Sequence, residues 1–260
     1  MRYLFDQHEK VQRFLGNRDG LHRDENMTDI RKTRWIAPTV NPVGSSFGSE
    51  AIPDLFYLDG VWVFLWDPQL QYPRYMPQKT CCPKCKSKNT KCDGGWGFRP
   101  YHWWDKIVYI YHRHEKCEDC GARYPTIRSD YLAQLPTIVA EQFPFVHPTE
   151  RGPGLYWPML SLLIELIPNG ILFGKFAKAM NAIKRSNFAQ SHIAYLDTAF
   201  HWLNVQGSAT AIDSSVPVVF SPFNDQSGYC GIELTPSLLR LCLRARMNSV
   251  SSYMQVSSHL

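Results

Sequence analysis

Cys82-Pro83-Lys84-Cys85 and Cys117-Glu118-Asp119-Cys120-Gly121 decide how this chain is read. They are two C-x-x-C units separated by 31 residues. Four thiolates match the softness and tetrahedral preference of Zn²⁺, and each unit can fold as a tight knuckle whose backbone N–H groups point at sulfur. Gly121 suits the exit of the second knuckle, where a positive φ is often needed, and Lys86 stands at the corresponding position of the first. The expected cofactor is Zn²⁺ and the expected ligands are Cys82, Cys85, Cys117 and Cys120. Other ligand sets stay open: Cys81 in place of Cys82, or Cys92, His112 or His114 in place of a thiolate. A thioredoxin-like redox pair at Cys82 and Cys85 fits poorly, because Lys86-Ser87-Lys88-Asn89-Thr90-Lys91 lacks the apolar periodicity of a following helix. Cys230 and Cys242 stand alone and read as small buried hydrophobes.

Between the knuckles, Gly94-Gly95-Trp96-Gly97 reads as a turn and Lys106 to Arg113 as a strand entering the second knuckle. Upstream, Leu55-Phe56-Tyr57-Leu58 and Val61 to Trp66 flank Asp59-Gly60, the signal for a hairpin of buried strands. Downstream the character turns helical. Asp130 can cap a segment through Ala140, with Pro136 near its first turn or splitting it. Leu160, Leu163, Ile164 and Ile167 predict a helix that stops near Pro168. A helix over 171–185 would bury Phe173, Phe176, Ala177, Met180 and Ile183, and a separate one over 187–204 would bury Phe188, Tyr195, Leu196, Ala199 and Leu203. A last helix is expected from Thr235. The predicted fold class is α+β: a zinc ribbon with short β-hairpins followed by a small helical bundle. The predicted segments are an irregular or partly disordered arm over 1–52, a β-rich zinc-ribbon region over 53–128, a helical region over 129–204 and a C-terminal extension over 205–260.

The chain has 260 residues, 44% of them hydrophobic and 20% charged, which excludes wholesale disorder and allows one or two domains. Its formal charge of +5 is unevenly placed. Residues 79–128 hold eleven Lys/Arg against five Asp/Glu, together with six of the eight cysteines; the rest of the chain is close to neutral. Met1 to His8 carries no apolar core before a small-residue cleavage site, so the expected location is intracellular, where thiols stay reduced; the nucleus is the candidate compartment. The apolar run Leu155 to Phe173 is interrupted by Pro158, Glu165, Pro168 and Asn169-Gly170 and reads as two buried helices rather than a membrane span.

Cations on a rigid β scaffold neutralise phosphates, and exposed aromatic faces stack on unpaired bases. Lys84, Lys86, Lys88, Lys91, Arg99, Trp103, Arg113 and Arg123 are the candidate nucleic-acid contacts, with DNA ahead of RNA and contact that is salt-sensitive and weakly sequence-specific. The competing reading is a zinc-stabilised protein-interaction scaffold, in which Trp96, Tyr101, Trp103 and Trp104 fill a thin core. Outward rings would favour the first reading and inward rings the second. The helix pair over 155–186 also suits a helix-turn-helix or part of a bundle. Residues 129–260 contain only eight scattered Asp/Glu, so no catalytic constellation assembles and a nuclease or redox enzyme is the least favoured class.

The run Val63-Phe64-Leu65-Trp66-Asp67-Pro68, the two C-x-x-C units, Gly95-Trp96, Arg99-Pro100, Tyr109-Ile110-Tyr111, Leu135-Pro136, Phe143-Pro144 and the tail Phe220 to Gly231 together resemble an uncharacterised zinc-ribbon-containing domain of transposon-derived eukaryotic proteins. The resemblance spans roughly residues 55–260 and implies zinc binding at positions 82, 85, 117 and 120. Longer members of that group continue into an RNase H-like region, so the resemblance implies a mobile-element derivative that keeps a binding portion without a catalytic one.

Overall fold

The computed structural model describes residues 35–36, 62–76, 80–149, 152–205, 223 and 232–257. The remainder of the expected arm, the strand Leu55 to Leu58 with its Asp59-Gly60 turn, and the turn Gly228 to Gly231 lie outside the described residues. The chain divides into two compact units, Met1–Trp62 with Asn181–Glu233, and Val63–Met180 with Leu234–Leu260. Both cut across the expected segments, since helices from beyond residue 128 share a unit with the strands.

The first unit contains a two-residue strand, β1 (Trp35–Ile36). The second is built on a sheet whose strands run in the order β2 (Val63–Trp66), β4 (Ile107–Cys117), β3 (Thr90–His102), β7 (Gly154–Tyr156) and β6 (Phe145–Val146). A further strand, β5 (Arg123–Pro125), pairs with β4 beyond the reach of β2. β2 is parallel to β4, with Val63 opposite Tyr109 and Trp66 opposite His112, while β3 and β4 form a long antiparallel hairpin. All four residues of β2 are buried, as expected for an apolar strand covered on both faces.

The hairpin corrects the expected turn at Gly94 to Gly97. These residues lie inside β3, where the register shifts between Cys92 and Trp96 and Gly94 adopts φ 73°. The glycines serve a bulge rather than a reversal, and the chain reverses later, where the Trp103 N–H donates to the Lys106 carbonyl.

Asp67 ends β2 and starts α1 (Pro68–Gln71), its Oδ1 accepting from the Leu70 N–H at 3.2 Å with Pro68 in the first turn. The expected helix from Asp130 to Ala140 is two short ones, α2 (Ser129–Leu132) and α3 (Thr137–Ala140), divided by Pro136. Helix α4 (Trp157–Leu166) passes into a 3₁₀ turn (Ile167–Asn169) and stops at Gly170, whose φ is 78°. The Ile171 N–H then caps the Leu166 carbonyl.

The two helices expected over 171–185 and 187–204 are one, α5 (Phe173–Val205), because neither Pro nor Gly interrupts the join. Phe176 and Ala177 are buried as its pattern predicts, whereas Ile183 and Leu196 are exposed. Helix α6 (Pro236–Ser257) begins where expected, with Thr235 Oγ1 accepting from the Leu238 N–H. The helices of the sheet-bearing unit share one apolar core with its strands: Val146 and Leu155 pack with Met159, Leu160 and Leu163 of α4, Phe176 of α5, and Leu239 and Cys242 of α6. Among the described residues no helix is long and apolar enough to cross a membrane.

Candidate metal centre

The register of the hairpin brings the two C-x-x-C units together. Thr90 opens β3 opposite Cys117, the last residue of β4, so the loop that enters β3 and the loop that leaves β4 emerge at the same end. Each loop folds by the same pair of backbone bonds. The Cys82 N–H donates to the Ser87 carbonyl (2.8 Å) and the Lys86 N–H to the Cys82 carbonyl (2.9 Å); the Cys117 N–H donates to Ala122 (2.9 Å) and the Gly121 N–H to Cys117 (3.0 Å).

Cross-links between the loops run through Asp119. Its carboxylate accepts from the Ser87 hydroxyl and from Asn89 Nδ2 at 2.8 Å, which holds it below the usual carboxylate range. The Glu118 N–H donates to the Asn89 carbonyl at 3.0 Å.

The result is a cluster of four sulfurs. Cys82 Sγ lies 3.6 Å from Cys120 Sγ and Cys85 Sγ lies 3.5 Å from Cys117 Sγ, with all four within 4.8 Å of one another. Tetrahedral thiolates at about 2.3 Å from a common Zn²⁺ stand about 3.8 Å apart, so the spacing fits a four-coordinate ion. No family model, curated protein or solved structure matches the chain.

Acid–base chemistry at the cluster points the same way. Burial pushes the Cys82 thiol up, but hydrogen bonds from the Cys85 and Lys84 backbone and the Cys120 and Cys85 thiols outweigh it and bring it down to about 7. The Ser87 backbone pulls Cys85 down, yet burial and its three sulfur neighbours hold it up at about 12. A divalent cation favours the thiolate of each sulfur it binds, so it would offset the rise at Cys85.

The alternative ligands fall outside the cluster. Cys81 uses its N–H on Gln134 Oε1 and is not one of the four, and Cys92 is exposed. His112 and His114 share a face of β4, with ring centroids 5.0 Å apart, and neither joins the sulfurs.

Of the candidate nucleic-acid contacts, Lys84, Lys86 and Lys88 are exposed on the first knuckle and enter no ion pair among the described residues. Lys91 is exposed and pairs with Glu118 at 3.0 Å; Arg123 is exposed and pairs with Asp93 at 3.3 Å. Two assignments are corrected. Arg99 is buried, donating to the carbonyls of Gly152 and Thr149. Arg113 is buried between Asp67 (3.0 Å) and Glu115 (3.8 Å). A charged side chain on a strand faces whichever side its register dictates; here carboxylates neutralise Arg113, while backbone carbonyls distant in sequence accept from Arg99.

Of the four rings only Tyr101 is fully buried; Trp96, Trp103 and Trp104 are half-buried, Trp96 stacking on Tyr111 with centroids 4.6 Å apart, Trp103 packing on Tyr156 and Trp104 resting against the apolar core. Sequence reasoning also missed the hub around Glu115. Its carboxylate accepts from Tyr131 (3.2 Å), Tyr124 (3.3 Å), Gln69 (3.2 Å) and Thr80 (3.4 Å), tying α2, β5 and α1 to β4 just before Cys117 of the sulfur cluster. A single carboxylate inside the basic run His112-Arg113-His114-Glu115-Lys116 was its only signal.

Proposed function

We propose that the protein is a non-catalytic binding module folded around one structural Zn²⁺, of the transposon-derived kind its motif run resembles. The convergence of the four sulfurs carries this reading. Four protein ligands leave no open position for substrate, which is the pattern of a structural rather than a catalytic ion. The ion would clamp the entry to β3 against the exit from β4. Replacing Cys85 or Cys117 with Ser tests it: zinc per chain, measured after gel filtration, falls well below one and the fold loosens. Full zinc content in both variants would reject the assignment.

Tyr101 is buried, and the half-buried Trp96, Trp103 and Trp104 already pack on Tyr111, Tyr156 and the apolar core, which favours a protein-interaction scaffold over a surface that stacks on unpaired bases. A nucleic-acid reading survives in narrower form, carried by the exposed Lys84, Lys86 and Lys88. A Zn²⁺ with four thiolates has a net charge of about −2, so part of the local basic excess balances the centre itself. What remains suits phosphate contact by a duplex backbone. Titration of labelled duplex DNA at two salt concentrations, with and without Lys84→Gln/Lys86→Gln/Lys88→Gln, decides between the readings. Salt-dependent affinity that the triple variant loses supports backbone contact. Its absence at low salt leaves the scaffold.

A further inference from the structure

A second site lies away from the sulfurs, on one face of the hairpin. Residues opposed in an antiparallel pair project to the same side, so the register Gly97 to His112 and Arg99 to Ile110 places Gly97, Arg99, His112 and His114 on a common face. Gly97 makes the room: a Cβ there would approach both the His112 and His114 rings to 3.0 Å. Above this face, the segment after β6 and the entry to α2 complete a cavity of about 360 Å³. Arg99, His114, Arg128, Ser129, His147 and Thr149 line it, with Pro125 and Pro148 between them.

The lining is rich in hydrogen-bond donors, and none of its residues is acidic. Arg99 is held by the Gly152 and Thr149 carbonyls at 2.9 and 2.5 Å, and the His147 ring is anchored through Nδ1 by the Tyr101 hydroxyl at 3.0 Å. These groups are therefore positioned before any ligand arrives. Of the nearby carboxylates, Asp93 is engaged away from the cavity by Arg123 at 3.3 Å, while Asp130 pairs with the lining Arg128 through its Nε at 2.9 Å and so orients that guanidinium.

We propose that this cavity binds a phosphate monoester. Imidazole, hydroxyl and guanidinium donors that converge from three chain segments suit the three terminal oxygens of a phosphate better than the two of a carboxylate. The volume falls at the small end of ligand pockets, and the two prolines offer apolar wall to an organic group beyond the phosphate.

The electrostatics agree. Burial, then Arg99 and His112, hold His147 down at about 3; burial holds His114 below its ordinary value, opposed by Asp93. Burial, then His114 and Arg99, does the same to His112. Imidazoles kept neutral by desolvation and by one another are a place where an incoming dianion is welcomed together with a proton. The phosphate site stands apart from the zinc reading, and either can fail alone.

Calorimetric titration of the zinc-loaded full chain with adenosine 5′-monophosphate, adenosine, and 5′-phosphorylated and 5′-hydroxyl oligonucleotides tests it. The expected result is binding of the phosphorylated members only, tighter at pH 6.5 than at pH 8, and weakened about tenfold or more by His114→Gln or Arg128→Gln. Zinc content measured in each sample reports separately on the metal centre. The mononucleotide binding best assigns a small ester; the oligonucleotide binding best assigns a strand end. Equal binding of adenosine, no binding of any member, or affinity unchanged in both variants overturns the proposal.

Discussion

Lys86 and Gly121 occupy equivalent positions in two loops of the same design, each following the second cysteine of its C-x-x-C and each donating its N–H to the first cysteine's carbonyl. Their φ angles are 63° and 69°, and Lys86 is the one non-glycine residue with positive φ among the described residues.

The left-handed conformation costs a residue with a Cβ about 1–2 kcal/mol, partly offset by the lower chain entropy of lysine in the unfolded state. Lys86→Gly is therefore expected to stabilise the zinc-loaded protein by roughly 0.5–1 kcal/mol, and Gly121→Ala to destabilise it by about 1 kcal/mol or more. Urea midpoints at fixed zinc concentration check both. A Lys86→Gly variant that is less stable than the parent would mean that the lysine side chain contributes more than its backbone costs.

Glu115 gathers donors from Tyr124, Tyr131, Thr80 and Gln69 and stands beside Arg113, which Asp67 also engages. Its replacement by Ala leaves a buried guanidinium with one partner fewer and two phenols without an acceptor, a loss of about 3–5 kcal/mol. Glu115→Gln keeps an acceptor oxygen and should lose less. Denaturant titration separates the two, and an Ala variant within 1 kcal/mol of the parent, roughly the range of a surface site, would show the hub to be dispensable.

At Gly154 an added Cβ would lie 2.0 Å from the Tyr101 ring and 2.8 Å from the Val146 carbonyl, and Tyr101 is fully buried beneath β6 and β7. Neither neighbour can yield, so Gly154→Ala should cost about 3 kcal/mol or prevent folding. Soluble expression and the thermal midpoint check this. Tyr101→Phe in the Gly154→Ala background should not rescue it, because the clash is with the ring rather than the hydroxyl.

His112 is buried, and burial with the neighbouring His114 and Arg99 brings it down from 6.5 to about 3. The fold holds this ring neutral while the unfolded chain takes up a proton below pH 6.5, so the stability it contributes is complete above 6.5 and is lost as the pH falls towards 3. Comparison of the parent with His112→Asn between pH 6.5 and 4.5, with zinc in excess, should show a shallower fall in the variant. The difference approaches about 1.4 kcal/mol per pH unit at most. Parallel curves would show that His112 titrates as freely in the fold as outside it.

The cysteine cluster and the strand entering it were legible because both signals are local: a spacing of three for each cysteine pair, and the β-rich run from Ile107. The helix ends at Pro168 and Thr235 were legible for the same reason. The glycines at 94–97 were not, since a bulge inside a strand and a turn between strands draw on the same residue type and differ only in what lies across the ladder. The join near residue 186 offers no breaker, yet the apolar stripe of the 33-residue helix changes sides there, which reads as two helices in the sequence. Arg99 and Arg113 look like surface charge in the sequence because their partners lie about fifty residues away for Arg99 and 46 for Arg113, at Thr149, Gly152 and Asp67. Composition records that a cation is present and is silent on what it meets.

One edge of β4 is shared by β2, which is parallel and pairs Val63 with Tyr109, and by β5, which returns within a few residues of Cys117. The two halves of that edge must close on different schedules. Zipping of β5 needs a loop of only a few residues, whereas β2 can dock only after the whole span holding the first knuckle has been organised. Under the zinc reading proposed above, an ion captured by the sulfurs would shorten that span before β2 arrives, and the concentration of free zinc would then control how fast the chain folds as well as how firmly it stays folded.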